Sequence, residues 1–163
     1  MIKTHEITTY TIDSHPYPEK VYDWIRNNWH DLGEFDVEDF ADSFKALAER
    51  LGNARCDYSI SLVPDRGEFL KLIGDISQEQ IDALDADAMD LTGMGWDFTL
   101  IKALQATDPD DYQTFDGLNI TIDISGALSE LHKQGEWLYS DEALKEHCEA
   151  HEYQFLANGK FYT

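Results

Sequence analysis

Positive charge is scarce in this chain. Twelve Lys and Arg residues stand against 33 Asp and Glu residues, which gives a formal net charge of −21. A protein that binds a nucleic-acid backbone directly must supply cations in place of those condensed on the phosphates. We therefore expect no direct nucleic-acid binding, and we expect a basic partner instead. The chain also lacks any run of about 18 apolar residues, so we expect no membrane-spanning helix and no membrane partner.

The chain is also poor in cysteine and proline. Its two cysteines, Cys56 and Cys148, lie far apart, and Met1–Glu6 lacks the basic start and apolar run of a signal peptide. Such cysteines are typical of reduced thiols in a cytoplasmic protein. Four prolines and no Pro/Gly/Ser-rich linker predict a single domain over residues 1–163, and 42% hydrophobic residues suffice for one core.

Hydrophobic periodicity predicts an α+β fold, an antiparallel sheet with helices packed on it. Alternating apolar residues predict a hairpin over 57–73 and a regular strand over 118–124. A short strand over 7–12 and a small ribbon over 153–162 are the other predicted extended segments. Apolar residues at steps of three and four predict helices over 19–29, 37–51, 77–91, 97–106, 127–138 and 140–152.

The predicted helix over 77–91 has an unusual balance of charge. Ser77–Gln80 forms a capping-box pattern that begins the helix, and Ile81 and Leu84 start its apolar stripe. The other faces carry five acids and no base. Like charges three or four residues apart repel by a few tenths of a kcal/mol per pair. Because this repulsion costs stability, we expect the charge to serve a function.

The acids continue into the next segment, including a predicted acidic turn over 107–116. Between Lys71 and Lys133 the only base is Lys102, against thirteen acids. A helix sets charges about 5–6 Å apart, near the spacing of phosphates along a DNA strand, so such a surface can imitate DNA. The residues predicted to bind a partner are Asp75, Glu79, Asp82, Asp85, Asp87, Asp90, Asp97, Asp108, Asp110 and Asp111.

Two simpler interpretations of the acidity stay open. An acidic protein can simply be highly soluble, or it can come from a salt-loving cell, where Asp-rich and Lys-poor surfaces are general. Both predict acids spread evenly over the surface, whereas a DNA mimic needs them on one continuous face.

Catalytic and metal-binding patterns are weak. His147 and His151 lie one helical turn apart, but no Glu follows the first His and a third ligand such as His132 would come from afar, so a solvated helix face is favoured. Gly93–Gly95 lacks the length and the Lys of a phosphate loop. With 33 acids, no carboxylate pair can be singled out. We expect no metal, no cofactor and no enzymatic activity.

Parts of the chain resemble a phage and prophage family of small acidic proteins, loosely labelled antitoxin-like. The resemblance covers the Trp-bearing segment Tyr17–Asn28, and in the tail Tyr139–Ala143, Glu152–Phe155 and Asn158–Lys160. The family usually has a Gly-rich segment of the Gln-Gly-Asp-Gly type after its first long strand, and this chain has Val63–Glu68 there instead.

The resemblance implies an origin in a mobile element, where small acidic proteins disable host defences such as restriction or CRISPR complexes. The expected function is thus a non-catalytic binding protein that inhibits a host nucleic-acid-binding defence complex by DNA mimicry, as anti-restriction and anti-CRISPR proteins do. The family label implies the alternative of an antitoxin that neutralises a basic toxin. A small enzyme or metal-binding protein is the other alternative, and a homodimer stays open.

Overall fold

The computed structural model describes residues 6–163, which form two compact units. The terminal unit comprises residues 6–32 and Glu136–Thr163, and the central unit comprises Gly33–Gly135. Met1–His5, on which part of the signal-peptide expectation rests, lie outside the described residues. The prediction of one domain stays a prediction.

The central unit contains a four-stranded sheet. Its strands are β1 (Arg55–Ser59), β2 (Phe69–Gly74), β3 (Gln113–Asp116) and β4 (Asn119–Asp123), in the order β1-β2-β4-β3, and every pairing is antiparallel. The predicted hairpin and the strand over 118–124 are confirmed, and with them the α+β class. Strand β3 was missed, because its residues are all exposed and show no apolar alternation.

One face of this sheet packs against helices. Cys56 lies opposite Leu72, which lies opposite Ile122, so a row of apolar side chains crosses three strands on the same face. The helices α2 (Glu34–Arg50) and α4 (Trp96–Ala106) belong to the same core, to which Phe40, Phe44, Leu100, Ile101 and Leu104 contribute fully buried side chains. The α2 stripe was read correctly from the sequence.

The predicted helix over 77–91 is wrong beyond its first turn and a half. Helix α3 comprises only Gln78–Asp82, with the predicted capping box at Ser77, and a short 3-10 helix follows at Ala86–Ala88. The Gln105 side chain donates to the carbonyl oxygens of Ile81 (3.2 Å) and Leu84 (2.8 Å). Those carbonyls are thereby satisfied without a continuing helix, which the clustered acids would make costly.

The terminal unit contains α1 (Pro18–Asn28) and α6 (Asp141–His151), and α5 (Leu128–Leu138) contributes its last three residues to it. The predictions of these three helices are confirmed. The predicted strand over 7–12 is reduced to one bridge, in which Tyr10 and Phe155 exchange backbone hydrogen bonds of 2.9 and 2.8 Å. The terminal ribbon is likewise reduced to a bridge between Phe155 and Phe161.

Gly159 is a position in the terminal unit that only glycine fits. Its φ is +91°, and a Cβ there would overlap the backbone carbonyl of Lys20, because the chain passes close to α1. Within residues 6–163, none of the helices combines the length and the apolar character needed to cross a membrane.

Candidate functional site

Nine of the ten predicted partner-binding acids are exposed, and all ten lie in the central unit. Asp75 follows β2, and Glu79 and Asp82 lie on α3. Asp85, Asp87 and Asp90 lie at or after the 3-10 helix, and Asp108, Asp110 and Asp111 follow α4. Asp97 alone is buried.

Tyr112 shows that the α3 acids and the acids after α4 converge. Its hydroxyl lies 3.4 Å from Oε1 of Gln78, to which it donates. Burial raises the pKa of the Tyr112 phenol, and the charges of Asp82 and Asp108 raise it further. Both carboxylates therefore act on one hydroxyl. Because α3 and the residues that follow it also pack on α4 through Gln105, the two acidic segments flank the C-terminal end of α4.

We call this region the acidic surface. It consists of Glu79, Asp82, Asp85, Asp87, Asp108, Asp110 and Asp111. Several of these carboxylates accept hydrogen bonds only from neutral donors: Asp82 from Gln78 Nε2 (2.9 Å), Asp85 from the Asp87 amide (3.0 Å) and Asp108 from the Asp110 amide (2.9 Å).

These hydrogen bonds fix the carboxylates without neutralising them. Within residues 6–163, none of the seven forms a salt bridge with Lys or Arg. The acidic surface therefore presents uncompensated negative charge to solvent.

Asp90 differs from these seven because it has a basic neighbour. Arg50 Nη1 lies 3.2 Å from Asp90 Oδ2, and Arg50 Nη2 donates to the Asp90 carbonyl at 3.3 Å. The pair is half-exposed, so it contributes little to stability. It does offset the charge of Asp90, which is thus a weaker candidate for partner binding than the sequence suggested.

Asp97 is a structural residue, which corrects its assignment to the interface. Its side chain is fully buried and accepts hydrogen bonds from the Thr92 amide (2.8 Å), the Thr92 hydroxyl (2.7 Å) and the Gly93 amide (2.9 Å). Burial raises the pKa of Asp97, but the hydrogen bonds to its carboxylate outweigh this effect and lower the pKa overall. Asp97 is therefore an anion that orders the loop before α4, with no surface for a partner.

Two exposed apolar residues lie close in sequence to the acidic surface, and no sequence pattern predicted their exposure. Phe115, at an irregularity in β3, is 51% exposed, and Leu118, in the turn before β4, is 80% exposed. They lie a few residues after Tyr112 in the chain. The only sequence signal was an aromatic residue beside one acid in Thr114–Gly117, and this segment is too short to separate from an ordinary turn.

The residues considered for catalysis or metal binding have other neighbours. The rings of His147 and His151 lie 4.6 Å apart, and His151 stacks on Tyr153 at 5.0 Å. His132 Nε2 lies 2.9 Å from the Glu68 carboxylate, to which Ser61 also donates at 2.8 Å. The Ser61 hydroxyl thus contacts the carboxylate and not the imidazole. An activated serine nucleophile would instead donate its hydrogen bond to the imidazole. No group of three His, Cys, Asp or Glu suited to a metal occurs among residues 6–163.

Comparison of the chain with protein-family models, with curated proteins and with solved structures gave no match in any of the three.

Proposed function

We propose that this protein is a non-catalytic binding protein whose acidic surface occupies the nucleic-acid-binding site of a basic partner. The observation that carries the proposal is the convergence of two acidic segments beside Tyr112, with seven exposed carboxylates that no Lys or Arg within residues 6–163 neutralises. Such a surface offers a basic groove the charge that a phosphate backbone would otherwise supply.

The physical consequence is fast, salt-sensitive association. Opposite charges on two proteins raise the rate of encounter, and salt screens that attraction over about 10 Å at 0.1 M. Exposed Phe115 and Leu118 offer apolar area close in sequence to the acids, and buried apolar anchors commonly carry much of the affinity of an interface. Charge would thus guide the encounter and the apolar residues would slow dissociation.

The finer form of the proposal names the partner class. The resemblance described above favours a mobile-element inhibitor of a host restriction or CRISPR complex over the alternative of an antitoxin. Both classes of partner are basic, so the same surface serves either. A neighbouring open reading frame that is toxic when expressed alone would favour the antitoxin.

The test compares two variants that lose the same charge. The first replaces Asp82, Asp85 and Asp108 with Asn, which keeps their hydrogen-bond acceptors, and spares the Arg50-paired Asp90. The control replaces Glu136, Glu142 and Glu146 with Gln, which are exposed acids of the terminal unit. Displacement of DNA from purified restriction and CRISPR complexes is measured at several salt concentrations.

We expect the first variant to bind about 1–3 kcal/mol more weakly, as is typical of coupled interfacial charges, and the control to bind like wild type. Raising the salt should weaken wild-type binding steeply. Equal losses in the two variants would show that only diffuse charge matters. Binding that does not change with salt concentration would refute the electrostatic account.

A further inference from the structure

A second surface feature of the central unit lies where α2 meets β1. A groove of about 620 Å³ is lined from α2 by Val37, Glu38, Ala41, Asp42 and Lys45, and from the sheet side by Tyr58, Ser59 and Ile60. The α2 residues follow steps of one, three and four, so they form one stripe along about 12 Å of helix. That length matches about four residues of extended chain.

The strand beside this groove has a free edge. β1 is the end strand of the sheet, and within residues 6–163 it pairs with β2 alone. The backbone N–H and C=O groups on its other side are therefore available to another strand, as in recognition by strand addition. A segment paired there would direct alternate side chains toward the face that carries Cys56 and Tyr58, which is the face that α2 covers.

The groove selects the chemistry of such a segment. Val37, Ala41 and Ile60 are half-buried apolar residues, whereas Glu38 and Asp42 are exposed acids one helical turn apart. Within residues 6–163 neither acid forms a salt bridge. Lys45 also lines the groove, but its Nζ lies over the Tyr58 ring, 5.8 Å from the ring centre. Apolar residues beside two carboxylates suit an arginine side chain. Its stem is apolar, and its guanidinium can donate two parallel hydrogen bonds to a carboxylate.

We propose that the groove between α2 and the free edge of β1 binds an extended segment of a partner protein as an additional strand, with an arginine that lies over Val37 and Ala41 and pairs with Glu38 and Asp42. This binding uses no residue of the acidic surface and does not depend on the function proposed for it. Either proposal can therefore fail alone.

The test uses a fluorescent peptide with the sequence Val-Thr-Arg-Thr-Val, in which the two valines and the arginine share one face of a strand. Two analogues are methylated on backbone nitrogen, one at both threonines and the other at both valines. Alternate residues of a strand direct their N–H groups to the same neighbour. One analogue should therefore lose binding at least tenfold while the other binds like the parent peptide.

Protein variants test the charge and the groove separately. Glu38→Gln/Asp42→Asn should weaken binding at least tenfold, and replacing the peptide's arginine with citrulline should do the same. The matched control Glu142→Gln/Glu146→Gln removes an exposed acid pair at the same spacing from α6 and should change binding less than twofold. Ala41→Trp, which fills the groove, should abolish binding, and circular dichroism verifies that it folds.

Several results would overturn the proposal. No binding of the parent peptide at millimolar concentration would do so, as would equal binding of the two methylated analogues, which indicates attraction to net charge alone. Equal losses in the two acid-pair variants would have the same meaning. If sedimentation shows a wild-type dimer that Ala41→Trp dissociates, the groove holds a second copy of the chain instead.

Discussion

The buried carboxylate of Asp97 allows a quantitative test of what orders the loop before α4. Asp97→Asn keeps the shape of the side chain and removes its charge. The amide oxygen of Asn can still accept from the Thr92 and Gly93 amides, and its NH₂ group can donate to the Thr92 hydroxyl. The substitution therefore isolates the contribution of the negative charge.

The expected loss follows from the three hydrogen bonds. A hydrogen bond to a charged group contributes about 1.5–3 kcal/mol, against about 0.5–1.5 kcal/mol for a neutral one, so three bonds lose about 3 kcal/mol in total. The favourable position of an anion at the start of α4 adds up to about 1 kcal/mol. Relief of the cost of burying a charge offsets part of this loss. We expect Asp97→Asn to lower the free energy of unfolding by about 2 kcal/mol, and Asp97→Ala by about 3–4 kcal/mol.

The same charge has a defined pH dependence. The pKa of Asp97 is lower in the folded protein than in the unfolded chain, where it is about 3.9. Its contribution is therefore fully present above that value and is lost as the pH falls through the folded pKa. The difference in unfolding free energy between wild type and Asp97→Asn should be constant from about pH 5 to 7 and should shrink below about pH 4.

Urea unfolding followed by tryptophan fluorescence measures this difference, since urea leaves charges unscreened and Trp96 is the neighbour of Asp97. Asp110→Asn is the control, because it removes the same charge from an exposed site and should cost under about 0.5 kcal/mol. If Asp97→Asn and Asp110→Asn unfold at the same urea concentration, the hydrogen-bond account of the loop is wrong. A difference that is as large at pH 3 as at pH 7 would refute the role of ionisation.

Two further predictions concern the terminal unit. Gly159→Ala combines a left-handed backbone with a clash against the Lys20 carbonyl, whereas Gly93→Ala has a similar φ of +85° in open space. Gly159→Ala should therefore destabilise by at least about 1 kcal/mol more than Gly93→Ala in thermal unfolding, and equal losses would exclude the clash. Burial raises the pKa of the Cys148 thiol to about 11, and the nearby Glu149 charge adds to the effect. With a thiol reagent at pH 8, Cys56→Ser, which retains Cys148, should react far more slowly than Cys148→Ser, and similar rates would show that Cys148 is accessible.

The sequence was informative where a pattern is local and is repeated over several turns. The α2 stripe, the alternation of β4 and the Ser77 capping box each consist of neighbours within about four residues, and the structure has all three. The acidic segments were also visible, because exposure of Asp and Glu is the rule. Nine of the ten predicted acids are exposed, and Asp90 is among them although Arg50 contacts it.

Tertiary contacts decided the remainder. The helix over 77–91 had adequate local signals, but Gln105, more than twenty residues later, binds the carbonyls of Ile81 and Leu84 where α3 ends. Asp97 was indistinguishable in sequence from the exposed acids until Thr92 and Gly93 folded around it. The acidic character of the chain was thus determined by the sequence alone. Which carboxylates face solvent together, and which one is buried, depended on the folded conformation of the chain, because a carboxylate leaves water only where the fold replaces the hydrogen bonds that water supplied.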